Sequence, residues 1–553
     1  MKKFLVSLLA IMMLCSSAFA LEISEPGVLP LVSGDEKPVI TLGIKEHTLT
    51  TDYADNYLTK YVEELTGVDL EIVLFPTDTA EAKQKLSLMI AGGQKLPDII
   101  SFSMTDAEKL SYGASGYFLP MNDWLENDAY YWNLAMDTWC TPEEKADVIK
   151  YSKSADGNIY GYPGYYIDPG DATALGCWVN KAWCEKLGLA VPTTTDELYT
   201  VLKAFKENDA NGNGDPNDEI PLVGHTGWVG NVVNYLINSF EYSAFNSDCG
   251  WQYSVKDGKL YAPYTTDAYR EALRYIAKLS AEGLLSPLSF SQTQNELRSI
   301  MCAPNEDPTL VGAFVGHPSP LFGADGMIDR VNEYVAVPAM IGPEGVQWTP
   351  YAGWFANTNT FITADCENPE LAFRVLDAVA QQECSLTWRY GRQDIDWGYS
   401  TEGKTRHVLP GYTPIYTLLT PTSVWTEEND VIFHENHFNV LPPKLFAGVA
   451  GAAWPNANRT YQMDDLWYKS VPSRFDKHPA ETALKLIFTE EEIDMVGEVQ
   501  ATLQTYVAEQ ATAFVLGNRN IETEWEAYLA ELEGIGLPMF LETAQVAYDR
   551  LAD

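Results

Sequence analysis

The sequence predicts an α/β fold of more than one unit, closed by a helical tail. Three observations predict it. Strand and helix patterns alternate from residue 39 to residue 102. The alternation begins anew near Gly164 and continues past residue 339. From Pro479 onward the apolar spacing is almost all helical. Strand–helix–strand order implies right-handed crossovers and parallel pairing.

The elements follow in order. Val39-Ile40-Thr41-Leu42-Gly43-Ile44 is a continuous apolar run that reads as a buried strand. A helix follows, with Tyr57, Leu58, Tyr61, Val62 and Leu65 on one face and Gly67 past its end. Leu70 to Leu74 is a second strand, and Ala80 to Ala91 a second helix, stopped by Gly92-Gly93. Asp98-Ile99-Ile100-Ser101-Phe102 is a third strand. Ligands of such sheets bind beyond the carboxyl ends of the strands. That rule singles out Ser101, Ser103 and Asp106.

In the second unit, Ala174 to Asn180 reads as a strand and Lys181 to Leu187 as a short helix. Thr194 and Glu197 stand in capping-box spacing, ahead of a helix through Leu198, Val201, Leu202 and Phe205. A long helix covers Thr266 to Glu282. Strands are expected at Leu310–Val315, Tyr334–Ala339 and Thr360–Ile362, and a helix at Pro369–Val379. In the tail, Thr489 and Glu492 form a second capping box. Three helices follow, the second broken by Gly536 and Pro538 and the third starting at Phe540.

The first twenty residues read as an export signal. Lys2 and Lys3 form a basic start, Phe4 to Leu14 is too short to anchor in a bilayer, and Ala18-Phe19-Ala20 is a small-x-small cleavage pattern. Lipoprotein processing at Cys15 is the alternative, although Met12-Met13-Leu14 lacks the small residue it requires. The mature chain is thus expected outside the cytoplasm, extracellular or periplasmic, either free or tethered.

Net charge is −41. Such a surface repels phosphate backbones and anionic lipid, which excludes both as partners. The eight cysteines show no CxxC and no Cys/His cluster, so they read as small buried hydrophobes, with no disulfide assignable from spacing. Fifteen tryptophans and 31 tyrosines exceed what a core alone needs. Aromatic faces also hold the flat C–H faces of sugar rings.

The run from Asp209 to Pro221 carries the most specific chemistry. Side-chain oxygens recur at Asp209, Asn211 and Asn213 around Gly212 and Gly214, and Asp218 and Glu219 close the run. Oxygens at period two about a glycine turn suit calcium, with Asp215 supplying its backbone carbonyl. Ile220 replaces the bidentate Glu of an EF-hand, and Pro221 blocks an exiting helix. The expectation is a structural calcium ion. The bland alternative is an Asx-rich turn without metal.

Several segments together resemble the family 1 extracellular solute-binding proteins of ABC transporters, in particular the long lipoprotein-type sugar binders. They are Cys177-Trp178-Val179-Asn180-Lys181-Ala182-Trp183, Lys186-Leu187-Gly188-Leu189, Pro192-Thr193-Thr194, and Phe205 to Pro221. Asn368-Pro369-Glu370-Leu371-Ala372, Trp388-Arg389-Tyr390-Gly391 and Asp396-Trp397-Gly398-Tyr399 extend the likeness over nearly the whole mature chain. The resemblance implies a two-lobed, type II periplasmic-binding-protein-like fold. Residues 21–170 and 340–400 would form an N-terminal lobe, and residues 171–339 a C-terminal lobe with the calcium loop at 209–219. Residues 401–553 would form a mainly helical region packed on both. It further implies a monomeric receptor that holds an oligosaccharide or sugar derivative between the lobes, presents it to membrane permease subunits and does no chemistry.

Candidate cleft residues follow from position. Trp354 lies in Tyr351-Ala352-Gly353-Trp354-Phe355, ahead of a returning strand. Trp228 is flanked by Gly227 and, one residue on, Gly230. Tyr165, Tyr166 and Asp168 precede the first crossing, and Trp178 sits on the crossing strand. Each aromatic suits a core equally well. A secreted glycoside-active enzyme is the rival reading, since 77 acids make chance carboxylate pairs inevitable. Positive signs of catalysis are thin. His434-Glu435-Asn436-His437 lacks the i, i+4 histidines of a zinc protease, and neither a GxSxG elbow nor a P-loop is present.

Overall fold

Four strands form the first sheet, in the order Thr360–Ile362, Ile99–Ser101, Val39–Lys45, Asp69–Phe75. Val39–Lys45 pairs in parallel with both its neighbours, Val39 opposite Asp69 and Leu42 opposite Ile99. Thr360–Ile362 returns antiparallel, with Thr360 opposite Ser101. The computed structural model describes residues 21–34, 37–166, 173, 175–227, 229–244, 253–302, 307–322, 328–351, 356–400, 416–419, 424, 428–434, 440–441, 449–451, 466, 470–483 and 485–552. Calls on the export signal, Asp168, Trp228 and Trp354 lie outside the described residues.

Local chemistry explains the first lobe. Asn56 caps the helix Tyr57–Thr66 by accepting from Leu58 N–H, and Gly67 ends it in the left-handed region. The helix buries Leu58 and Val62 against the sheet's Ile40, Leu42 and Ile44. Asp98 ties two strands together by accepting from both Thr41 N–H (2.8 Å) and Thr41 Oγ1 (2.7 Å). Helices Asn122–Asn127, Tyr130–Trp139 and Pro142–Ser152 complete this lobe.

The second sheet has the order Tyr334–Val337, Cys177–Asn180, Val311–Val315, Ile220–Val223. Ile220–Val223 runs parallel to Val311–Val315, and the other two pairings are antiparallel. The observed strand begins at Cys177, three residues later than the predicted Ala174. Its core is aromatic. Trp183 meets Phe205 edge-on at 5.1 Å, and Trp178 stacks on Phe314 at 5.5 Å.

The C-terminal helices Glu490–Val515, Trp525–Ile535 and Leu537–Ala552 join the second lobe's core. Leu503, Val507, Phe514, Trp525, Tyr528 and Phe540 belong to one apolar cluster with Tyr264, Tyr269 and Leu273. Gly536 caps the second helix in the left-handed region, and the third starts at once at Leu537. Pro538 therefore opens that helix, where a missing N–H costs nothing. Before the helices the described tail carries short strands: Tyr416–Leu418 pairs with Trp397–Tyr399 and with Val449–Gly451. Among the described residues Cys177, Cys184, Cys302, Cys366 and Cys384 are free thiols, and no helix is long and apolar enough to cross a membrane.

Three stretches of chain pass between the sheets and meet side by side. Gly164 pairs with Asn357, whose N–H donates to Gly164 O at 2.6 Å. Tyr165–Tyr166 pairs in parallel with Val440–Leu441. The chain passes to the second sheet after Tyr166 and returns to the first before Thr360; Val449–Gly451, paired with Tyr416–Leu418, precedes the helices that join the second core.

Candidate ligand cleft between the lobes

The parallel strands of each lobe end in loops that carry the candidate groups. In the first lobe Ser101 is buried, its Oγ 2.8 Å from Thr360 Oγ1, and so it joins sheet to crossing strand. Ser103 is exposed, two residues beyond the strand end. Asp106 opens the helix Asp106–Ala114, which Thr105 and Glu108 start as a capping box.

Asp106 is already engaged. Its Oδ1 lies 3.1 Å from Lys109 Nζ and its Oδ2 3.4 Å from Lys485 Nζ. Burial pushes its carboxyl up, but the two ammonium groups outweigh that and hold it below the usual carboxylate range. Lys109 Nζ also donates to Thr358 Oγ1 on the crossing strand (2.9 Å), and Lys485 Nζ to Tyr151 O (2.8 Å). Lys485 follows Ala483 and precedes Leu486, both in the second lobe's core. Asp106 is thus the middle of a polar strut linking first lobe, crossing strand and tail.

Trp178 is fully buried, between the Phe314 ring and the Arg474 guanidinium 5.8 Å away. Its ring has no open face, so it sits in the core where the sequence placed it in the cleft. Arg474 is itself buried, donating from Nη1 to Thr173 O (2.8 Å) and from Nη2 to Ser470 Oγ (2.6 Å). A Cβ at Gly176 would lie 2.4 Å from the Trp178 ring and 2.6 Å from Arg474 Nη1, so this approach requires glycine. Tyr351 is half-buried and stacks on His478 at 4.0 Å, and burial pushes its phenol up to about 12. Tyr165 lies in the strand paired with Val440–Leu441 at the crossing.

His225 and His317 were not singled out from sequence. Each lies just past the carboxyl end of a parallel strand, Ile220–Val223 and Val311–Val315. Burial pushes His225 down to about 4; burial and the Arg474 charge push His317 down to about 3. The available signal was position: a histidine two residues after a strand end, between Gly224 and Gly227.

A depression of about 860 Å³ lies elsewhere, lined by Glu46, Phe75, Thr77, Asp78, Glu81 and Lys85 among others. It sits at the Asp69–Phe75 edge of the first sheet, opposite the crossing strand, and the second lobe contributes nothing to it.

The glycine–asparagine loop follows the helix Thr195–Glu207. Asp209 accepts from Gly212 N–H (2.7 Å) and Gly214 N–H (3.1 Å). Asn211 Oδ1 accepts from Asn213 N–H and Asn213 Oδ1 from Asp215 N–H. Both amides donate to Asp218, at 3.0 and 2.5 Å. Glu219 Oε1 accepts from Ala210 N–H (2.8 Å), while its Oε2 is buried without a hydrogen-bond partner. Gly212 and Gly214 take φ of 81° and 95°, the turn expected of them. Among the described residues no three His, Cys, Asp or Glu side chains are gathered to hold a metal. Apart from Glu219 Oε2, the loop's own amides engage the side-chain oxygens named above.

The family model described as bacterial extracellular solute-binding protein matches residues 48–383. The fructooligosaccharide ABC transporter substrate-binding protein FusA of Streptococcus pneumoniae serotype 4 is 27% identical over 517 residues, 90% of this chain and 88% of that protein. A human-milk-oligosaccharide (HMO) binding, ABC-transporter-associated solute-binding protein from Bifidobacterium longum infantis superposes with a TM-score of 0.73 at 21% identity, over 93% of this chain and 99% of that one. The S. pneumoniae FusA EF-hand mutant in complex with fructo-nystose superposes with a TM-score of 0.66 at 22% identity, with the same coverage. These matches give a two-lobed solute-binding fold with a C-terminal helical region. This chain belongs to the bacterial extracellular solute-binding protein family.

Proposed function

We propose that this chain is the exported substrate-binding component of an ABC importer, and that it holds an oligosaccharide or sugar derivative between its lobes without altering it. The observation that carries this reading is the likeness to a fructooligosaccharide-binding ABC component over 90% of the chain. The side-by-side crossing segments support it, because they join two lobes that each have their own sheet and core. A ligand that touches both lobes only when they are closed favours the closed state by its differential affinity. The closed complex is then presented, as a monomer, to permease subunits in the membrane. The lobe boundaries are 21–170 with 340–400 and 171–339, and the region after 401 packs on them. Trp354, Trp228, Tyr351 and Tyr165 are the aromatics assigned to the sugar faces, with Ser103 as a hydroxyl partner.

Calcium belongs to this reading as a clip in the loop 209–219. The partnerless buried Glu219 Oε2 fits a cation, since a buried carboxylate oxygen without a hydrogen bond is costly. Asp209, Asn211, Asn213, Asp218 and Glu219 would supply side-chain oxygens and Asp215 its carbonyl. Calcium would neutralise the clustered carboxylates and fix the turn.

The test is incubation with neutral oligosaccharides, nystose first. A saturable tryptophan fluorescence change with the glycan recovered intact is expected. New reducing ends in the chromatogram would contradict the receptor reading and favour the rival enzyme.

A further inference from the structure

The second lobe holds one histidine whose hydrogen bonding is half complete. His225 is fully buried, directly past the end of the strand Ile220–Val223. Its Nδ1 accepts from Gly227 N–H at 3.1 Å. An accepting Nδ1 carries no proton, so in the neutral ring the proton sits on Nε2. Burial keeps the ring neutral at physiological pH, with its pKa pushed down to about 4. Nε2 is therefore a buried N–H donor, and it has no partner among the described residues.

The surroundings are built to hold this ring in place. His225 N–H donates to Gly230 O (3.0 Å), Gln292 Nε2 donates to Gly224 O (2.6 Å), and Thr226 N–H donates to Gln292 O (3.0 Å). A Cβ at Gly230 would lie 2.4 Å from the ring, so the loop lies flat on the imidazole. Val229 in that loop has φ of 59°. A β-branched residue in the left-handed region is strained, and such strain gathers at ligand clamps. On the Nε2 side stands Gly316, at the end of the neighbouring parallel strand. A Cβ there would lie 3.5 Å from Nε2 and 2.9 Å from Leu321 Cδ1, so the methyl end of Leu321 fills this side and an incoming atom has to displace it.

We propose that His225 Nε2–H is a preset hydrogen-bond donor for an oxygen of the bound ligand at the carboxyl ends of the strands Ile220–Val223 and Val311–Val315, met when the Leu321 side chain turns aside. The assignment rests on the carbohydrate reading above and deepens it. The oxygen recognised is an acceptor, a hydroxyl or ether oxygen, and the second lobe selects for its presence. A neutral donor fits an uncharged ligand oxygen and remains the same donor across the pH range in which the ring is neutral.

Two variants test it by calorimetry with nystose, then gluco-, galacto- and xylo-oligosaccharides, alongside thermal melts. His225→Phe removes the donor and keeps a flat ring. His225→Gln returns an amide N–H near the Nε2 position. The expected result is affinity weakened by about tenfold or more in His225→Phe and by about threefold or less in His225→Gln. The melts check that both variants fold; each variant also takes the Nδ1 acceptor from Gly227 N–H, so that loss is common to both and the Nε2 donor alone separates their affinities. Equal affinity in His225→Phe and the unaltered chain would overturn the proposal, and so would equal losses in both variants. If the unaltered chain binds none of these glycans, the carbohydrate reading fails and the donor assigned to its ligand falls with it, whereas unchanged affinity in His225→Phe overturns the donor alone.

Discussion

Trp178 fills a core, whereas Trp354 is the tryptophan proposed for a sugar face. Trp178 is wholly enclosed by Phe314, Arg474 and the Gly176 backbone. Trp178→Ala should cost about 3 to 5 kcal/mol of stability, as large aromatic truncations in a core do. Trp354→Ala should instead weaken glycan affinity strongly while the melting midpoint barely moves. Chemical denaturation and calorimetry on both variants check the pair, and the reverse pattern would exchange their roles. The sequence could not separate them, for a physical reason. All four residues of Cys177–Asn180 are buried, so the strand has no alternation from which to read a face. Asp106 was legible as a strand-end acid, but its partner Lys485 is 379 positions away along the chain, and no local pattern reveals such a pairing.

At the scale of elements, local signals were reliable where a cap or a period carried them. The capping boxes at Thr194 and Thr489 start the helices the sequence predicts. The alternation from 39 to 102 became a parallel sheet because its strands are short, apolar and joined by helices. The helices between 122 and 152 passed unnoticed, although Thr141, Pro142 and Glu144 give Pro142–Ser152 a capping box with a proline in its first turn. The loop 209–219 shows how far spacing reaches. It turns at the predicted glycines, yet its side-chain oxygens, Glu219 Oε2 apart, are engaged by its own amides. Calcium at about one hundred times its dissociation constant should add roughly 2.7 kcal/mol of stability. Glu219→Gln should remove most of that gain. Thermal melts with calcium and with chelator check this, and an unchanged melt with no metal by elemental analysis would remove the site.

At the scale of the whole molecule, the tail does more than extend the second lobe. Its helices share that lobe's core, while Lys485 reaches Asp106 and Tyr151 of the first lobe and Lys150 of the first lobe donates to Leu551 O. Lys485→Met should lower stability by about 1 kcal/mol, since Asp106 is half-exposed and solvent screens the pair. The pH dependence has a definite sign. The Asp106 carboxyl is held below its ordinary value in the folded state, so the unfolded chain binds the proton more readily. The strut therefore contributes fully above the ordinary carboxylate range and is lost as pH falls through the depressed value. Lys485→Met should flatten that acid limb in melts taken between pH 3 and pH 7, and an unchanged limb would mean the strut carries no stability.

The proposed receptor works by closing two hinged lobes on an intact oligosaccharide. Small-angle X-ray scattering, with and without a glycan shown by calorimetry to bind, tests it most directly. A smaller radius of gyration at saturation is the predicted result. An identical scattering curve with the glycan bound would contradict it.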